Sequence, residues 1–174
     1  GQGHWNIFGL DPHAWIDFRI HHNDTLRYRK VVAKARKAGR LLVATPPYNL
    51  DFLYDVTPMD GIEVWNSAWS PANERAVELW HTLLVGGNRK FAVASTDFHR
   101  GGNIASPHTV VRAEALSAEA VIDAIAAGRS YVARDTSAEI GMQVRNSATP
   151  VQHADIGDTL LRSGGMQAEF RSNT

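Results

Sequence analysis

Phe91-Ala92-Val93-Ala94-Ser95-Thr96-Asp97-Phe98-His99-Arg100-Gly101-Gly102-Asn103 opens as an apolar run and turns polar within a few residues. Phe91 to Ala94 reads as a short buried strand of an α/β sheet. Side chains alternate along a strand, which puts Asp97 and His99 on one side of its carboxyl end. Open α/β sheets and α/β barrels place their chemistry at that end. A carboxylate and an imidazole there make half of a metal site or an acid–base pair. A polar strand end with a surface histidine accounts for the same three residues equally well, because D-x-H is a short motif.

Working outward, strands and helices alternate. Leu41 to Thr45 is apolar throughout and reads as a central strand. The loop that leaves it, Pro46-Pro47-Tyr48-Asn49 and on to Asp60, is long enough to suggest an active-site loop. Gly61 to Asn66 is a further strand. Ser70-Pro71 starts a helix carrying Ala76, Val77, Leu79, Trp80, Leu83 and Leu84, which Gly86-Gly87 stops. Beyond the quoted stretch come a strand at His108 to Arg112, a helix at Ala118 to Ala127 capped by Ser117, and a strand at Ser130 to Ala133.

Upstream, His4 to Leu10 reads as a strand and His13 to Ile20 as a half-buried extended segment. Asn23 or Asp24 caps a helix to about Lys37, with Leu26, Val31, Val32 and Ala35 as its buried stripe. Gly39 is expected to end it in the left-handed conformation. This alternation predicts parallel strands with helices packed outside, an α/β sheet or barrel, over residues 1–135. From about Thr136 the texture becomes short strands, at 139–145, 158–161 and 166–170, so residues 136–174 read as a truncated β-rich segment.

Composition narrows the functions. Eighteen basic and eighteen acidic residues give a formal net charge of +0, which removes the electrostatic case for a nucleic acid or an anionic membrane. With no cysteine, thiolate metal sites and disulfides are excluded; the eight histidines are the conspicuous ligand supply. No apolar run has the length of a membrane span. Gly1-Gln2-Gly3-His4 runs directly into the first strand without an initiator Met, as though the chain enters its fold partway.

Six segments in order, G-H-W-N-I-F-G-L, W-I-D-F-R, G-I-E-V-W-N, N-E-R-A-V-E-L-W, S-T-D-F-H and L-S-A-E-A-V-I-D-A-I-A-A-G-R-S-Y-V, span roughly Gly3 to Ala133. Together they resemble the PHP (polymerase and histidinol phosphatase) superfamily, and more narrowly its CehA/McbA-like metallohydrolase branch. The resemblance implies a partial distorted (β/α)7 TIM-like barrel with divalent ions (zinc, manganese or iron) at the strand carboxyl ends. It implies a metal-activated water that attacks a phosphate or carboxylic ester. Onto the family's G-H and S-D-x-H motifs fall His4, Asp97 and His99 as metal ligands. Two departures point to a depleted site: the family's opening H-x-H strand has no counterpart, and its His-Pro pair is replaced by Thr45-Pro46-Pro47.

Catalytic roles are accordingly expected for Asp97, His99, Arg100 and His108. Arg100 would hold an anionic substrate, and His108 would serve as general acid or as a partner to a ligand. Glu63, Asn66 and Asn103 are expected to line the pocket. The remaining histidines are assigned to the surface, and Trp65, Trp69 and Trp80 to packing between helix and sheet. Trp5 and Trp15 are assigned to the core, although both could line a cavity. The expected function is metal-dependent hydrolysis of a small-molecule ester, with a degenerate, non-catalytic binding or scaffold domain as the alternative. An unpaired strand edge in an incomplete barrel predicts a homo-oligomer.

Overall fold

The computed structural model describes residues 4–17, 19–21, 24–45, 55–101, 104–148, 150–162 and 164–173. Four strands, β1 (Trp5–Phe8), β2 (Leu41–Ala44), β3 (Gly61–Asn66) and β4 (Phe91–Ser95), form one sheet in the order β1-β2-β3-β4. β2, β3 and β4 run parallel, whereas β1 pairs antiparallel with β2, Trp5 opposite Ala44 and Phe8 opposite Leu41. Helices α1 (Thr25–Ala38) and α2 (Pro71–Val85) lie in the β1–β2 and β3–β4 connections.

The expected (β/α)7 barrel is not formed. A barrel needs a closed circuit of parallel strands, each followed by a returning helix. Here β1 runs the wrong way for such a circuit. Among the described residues no helix separates β4 from β5 (His108–Val111), which instead pairs antiparallel with β6 (Ser130–Ala133). Helix α3 (Ala118–Ala126) connects these two. β5 lies beside β4, where Thr109 Oγ1 accepts from the Ala94 N–H at 2.9 Å and donates to the Ala94 carbonyl at 3.1 Å. β7 (Ile140–Asn146), β8 (His153–Asp155) and β9 (Met166–Ser172) make a separate antiparallel sheet in the order β8-β7-β9.

Alternation along β2, β3 and β4 sorts the core into two clusters. Leu42, Ala44, Ile62 and Val64 face α1, through Tyr28, Val32 and Ala35, with Val77, Trp80 and Leu83 of α2 packed alongside. Leu41, Val43, Phe91 and Val93 face Ile125 of α3, flanked by Val121 and Ile122. Leu42 and Ile62 are essentially sealed, and truncating either to alanine costs about 2–5 kcal/mol.

Several local expectations change. Asp24 caps α1 by accepting from the Arg27 N–H, while Asn23 lies outside the described residues. Leu26 is exposed and Tyr28 takes its place in the buried stripe, its hydroxyl donating to the Asp55 carbonyl at 2.8 Å. Gly39 is extended, at φ −128°, so α1 ends without a left-handed residue. It is needed for closeness instead: a Cβ there would sit 2.2 Å from the Ile7 side chain. In segment 14–17 Ile16 is buried, as a half-buried stretch requires, but Trp15, assigned to the core, is 65% exposed beneath the Lys34 ammonium. Residues 158–161 are likewise not a strand. Asp158 instead closes a turn by accepting from the Asp155 N–H, and the strand falls at His153–Asp155.

Candidate functional site at the strand carboxyl ends

The carboxyl ends of β2, β3 and β4 share one edge of the sheet, and the antiparallel β1 brings its amino end, His4, to the same edge. There the Thr45 N–H donates to the His4 carbonyl at 2.9 Å. On the face whose apolar part is Leu41, Val43, Phe91 and Val93, the last layer turns polar: Thr45, Glu63 and Ser95. Thr45 and Glu63 are almost fully buried.

A β-bulge decides what this layer contains. Between Glu63 and Trp65 the β3–β4 register shifts: Glu63 opposes Val93, Trp65 opposes Ala94, and Asn66 opposes Ser95. Val64 is the extra residue. In a regular strand Glu63 and Asn66, three positions apart, would face opposite sides; the inserted residue restores them to one side. Asn66 Nδ2 accordingly donates to Glu63 Oε2 at 3.3 Å, and the Ser95 hydroxyl donates to Glu63 Oε1 in a short bond. Burial pushes the Glu63 carboxyl above the ordinary glutamate range, and the nearby Asp97 charge adds to the shift; the bonds from Ser95 and Asn66 oppose it.

β4 stops at Ser95, so Asp97 and His99 are not paired by strand alternation as expected. Asp97 is instead held in the left-handed region at φ 53°, and Ser67, leaving the neighbouring β3, is there too at φ 57°. The Ser67 N–H donates to the Ser95 carbonyl at 2.9 Å, tying the two exits together. Non-glycine residues in this region cost free energy and cluster at functional sites. The turn brings His99 Nδ1 to 2.7 Å from the Asp97 carbonyl and 3.7 Å from Asp97 Oδ1. A carbonyl can only accept, so Nδ1 is the donor in that contact and Nε2 is the ring nitrogen not engaged by it.

The other expected site residues are dispersed around this pair. His4 is exposed just before β1, which lies three strand spacings from β4, roughly 14 Å in a flat sheet. Among the described residues no group of three or more His, Asp or Glu is placed to hold a metal ion. His108 opens β5 half-buried, its Nδ1 2.8 Å from the Ala105 carbonyl. Arg100 is exposed beside His99. Gly3, Gly102, Asn103 and the loop at 46–54 lie outside the described residues. His13, His21, His81 and His153 are exposed.

Two features escaped the sequence. Asn73, fully buried in the first turn of α2, accepts from the Asn66 N–H at 2.9 Å and donates to the Ala68 carbonyl at 3.0 Å, fixing the turn after β3. Its signal was a polar residue three after the Ser70 cap, a position usually read as solvated. Trp69, assigned to packing, is 49% exposed, and with Trp65, Phe98, His99, Arg100 and Arg134 it lines a groove of about 580 Å³. The chain matches no protein-family model, no curated protein and no solved structure.

Proposed function

We propose that this chain carries the substrate-handling edge of an ester hydrolase of the PHP type, a phosphoesterase or related enzyme acting on an anionic small molecule. The observation that supports it most is the turn at Asp97. A left-handed aspartate fixes His99 through Nδ1 at the rim of an open groove, close enough to the buried Glu63 for the Asp97 charge to act on it. In this role His99 Nε2 takes a proton from the attacking water, Arg100 offsets substrate charge, and Glu63 holds Ser95 and Asn66 in place.

A divalent ion such as zinc, manganese or iron would supply an acidified water. Asp97 and His99 offer it two adjacent ligands, fewer than the three that zinc takes from protein. The described residues alone therefore do not complete the ion's site, and the proton transfer rests on the chain's own groups. That shortfall favours a second function, a PHP-like domain that binds without turnover. The buried Thr45 hydroxyl, which has no partner among the described residues, sits where the resemblance puts a histidine and points the same way.

The test is hydrolysis of p-nitrophenyl phosphate and p-nitrophenyl acetate with added zinc, manganese or iron, alongside elemental analysis. The hydrolase predicts turnover that falls at least about 100-fold in His99→Ala and Asp97→Asn. No turnover with any of the three ions establishes the second function.

A further inference from the structure

A second cavity, of about 460 Å³, lies between the β5–β6 pair and the β8-β7-β9 sheet and shares no described lining residue with the groove at Asp97. Val110, Tyr131, Met142 and Ile156 give it an apolar wall, and Arg112 and Arg129 add two guanidiniums. The two arginines are directly opposed. The β5–β6 register sets Val110 opposite Tyr131 and Val111 opposite Ser130, and one step further the Arg112 N–H donates to the Arg129 carbonyl at 2.9 Å. Residues directly opposite on antiparallel strands project to one side with Cβ atoms about 5 Å apart, and like charges there are destabilising.

Little in the fold offsets that repulsion. Arg112 reaches Asp155 and Arg129 reaches Glu114 through one contact each, both at 3.3 Å, and all four side chains are in part solvated. Ion pairs of that kind contribute little. Arg129 Nε is moreover buried without a partner among the described residues, an unmade bond that costs free energy. Arg171 and Glu169, the other opposite charges on the wall, neutralise each other at 2.8 Å. The Tyr131 hydroxyl is spent on the Ala138 carbonyl at 3.3 Å, so the tyrosine offers a ligand its ring alone.

A negatively charged acceptor relieves the opposed arginines, and a hydrocarbon body suits the rest of the wall. We infer that this cavity is a binding site for an aliphatic carboxylate, its head between Arg112 and Arg129 and its chain against Tyr131, Met142 and Ile156. The head takes the place of the single contacts from Asp155 and Glu114, since a carboxylate accepts two parallel N–H bonds from one guanidinium. The volume falls in the range of small-molecule sites. The site stands whether or not the Asp97 edge turns over an ester.

Isothermal titration of the whole chain with octanoate, 1-octanol and acetate at fixed salt tests this. Octanoate binds once per chain, at least about tenfold tighter than 1-octanol, and acetate gives no measurable binding. Arg112→Met and Arg129→Met each remove most of the margin of octanoate over 1-octanol and leave the 1-octanol affinity unchanged, whereas Arg129→Lys keeps part of the margin. Met142→Trp fills the cavity and weakens both ligands at least about tenfold, with circular dichroism unchanged. Octanoate no tighter than 1-octanol, uptake of several molecules per chain without saturation, or an affinity that survives Met142→Trp overturns the site. The comparison of octanoate with 1-octanol in the unaltered chain decides the matter even where a variant fails to fold.

Discussion

Replacing Asn73 with alanine isolates what holds the β3–α2 corner. Its side chain makes two good bonds, from the Asn66 N–H at 2.9 Å and to the Ala68 carbonyl at 3.0 Å. It also makes two long ones, to the Asn66 carbonyl and Ser70 Oγ, both at 3.4 Å. At about 1 kcal/mol for each good bond and about half that for each long one, the loss is about 3 kcal/mol. Full burial denies the stranded groups water, so little of it is recovered. For a chain of this size that lowers Tm by about 6–12 °C. Urea unfolding followed by tryptophan fluorescence and far-ultraviolet circular dichroism measures it. A loss under about 1 kcal/mol with an unchanged m-value would refute the corner's role.

Other consequences follow from the same edge. The Glu63 carboxyl is raised above its ordinary value of 4.5, so the folded chain holds that proton more tightly than the unfolded one. Its contribution is full below pH 4.5 and is lost as pH rises through the raised value; in Glu63→Gln this decline in urea stability with pH disappears, and an unchanged decline would assign it elsewhere. Asp97→Gly relieves the left-handed backbone and raises stability by up to about 1 kcal/mol, whereas lost stability would show that the Asp97 side chain holds the turn. The outer edge of β1 pairs with no described strand, so light scattering at rising concentration should report a homo-oligomer, and a mass fixed at 19.1 kDa counts against edge association.

Local signals in the sequence located most elements. Apolar-rich runs of four to six residues give β2, β3 and β4, and Asn23 or Asp24, Ser70-Pro71 and Ser117 mark three helix starts, because each signal acts within a turn or two of chain. Burial at the helix surface was less legible. Leu26 and Tyr28 both lie near the stripe of α1, and only a partner, the Asp55 carbonyl, selects Tyr28. Closure was not legible at all. Strand–helix alternation is shared by open sheets and barrels, and the direction of β1 depends on where segment 9–24 returns the chain, a long-range outcome.

The candidate site divides in the same way. Sequence alone set Asp97 and His99 two residues apart just past an apolar run, while the backbone between them decides whether their side chains meet. It also marked Glu63 and Asn66 as pocket residues at a strand end, whereas the burial of Glu63 came from the fold. Tertiary structure decided the rest. The bulge at Val64 turns Glu63 and Asn66 to one face, the left-handed backbone at Asp97 aims His99 through Nδ1, and the corner held by Asn73 leaves Trp69 facing water. Each depends on a register or a contact between segments far apart in the chain, where free energy is set by packing and not by the residue's own preference.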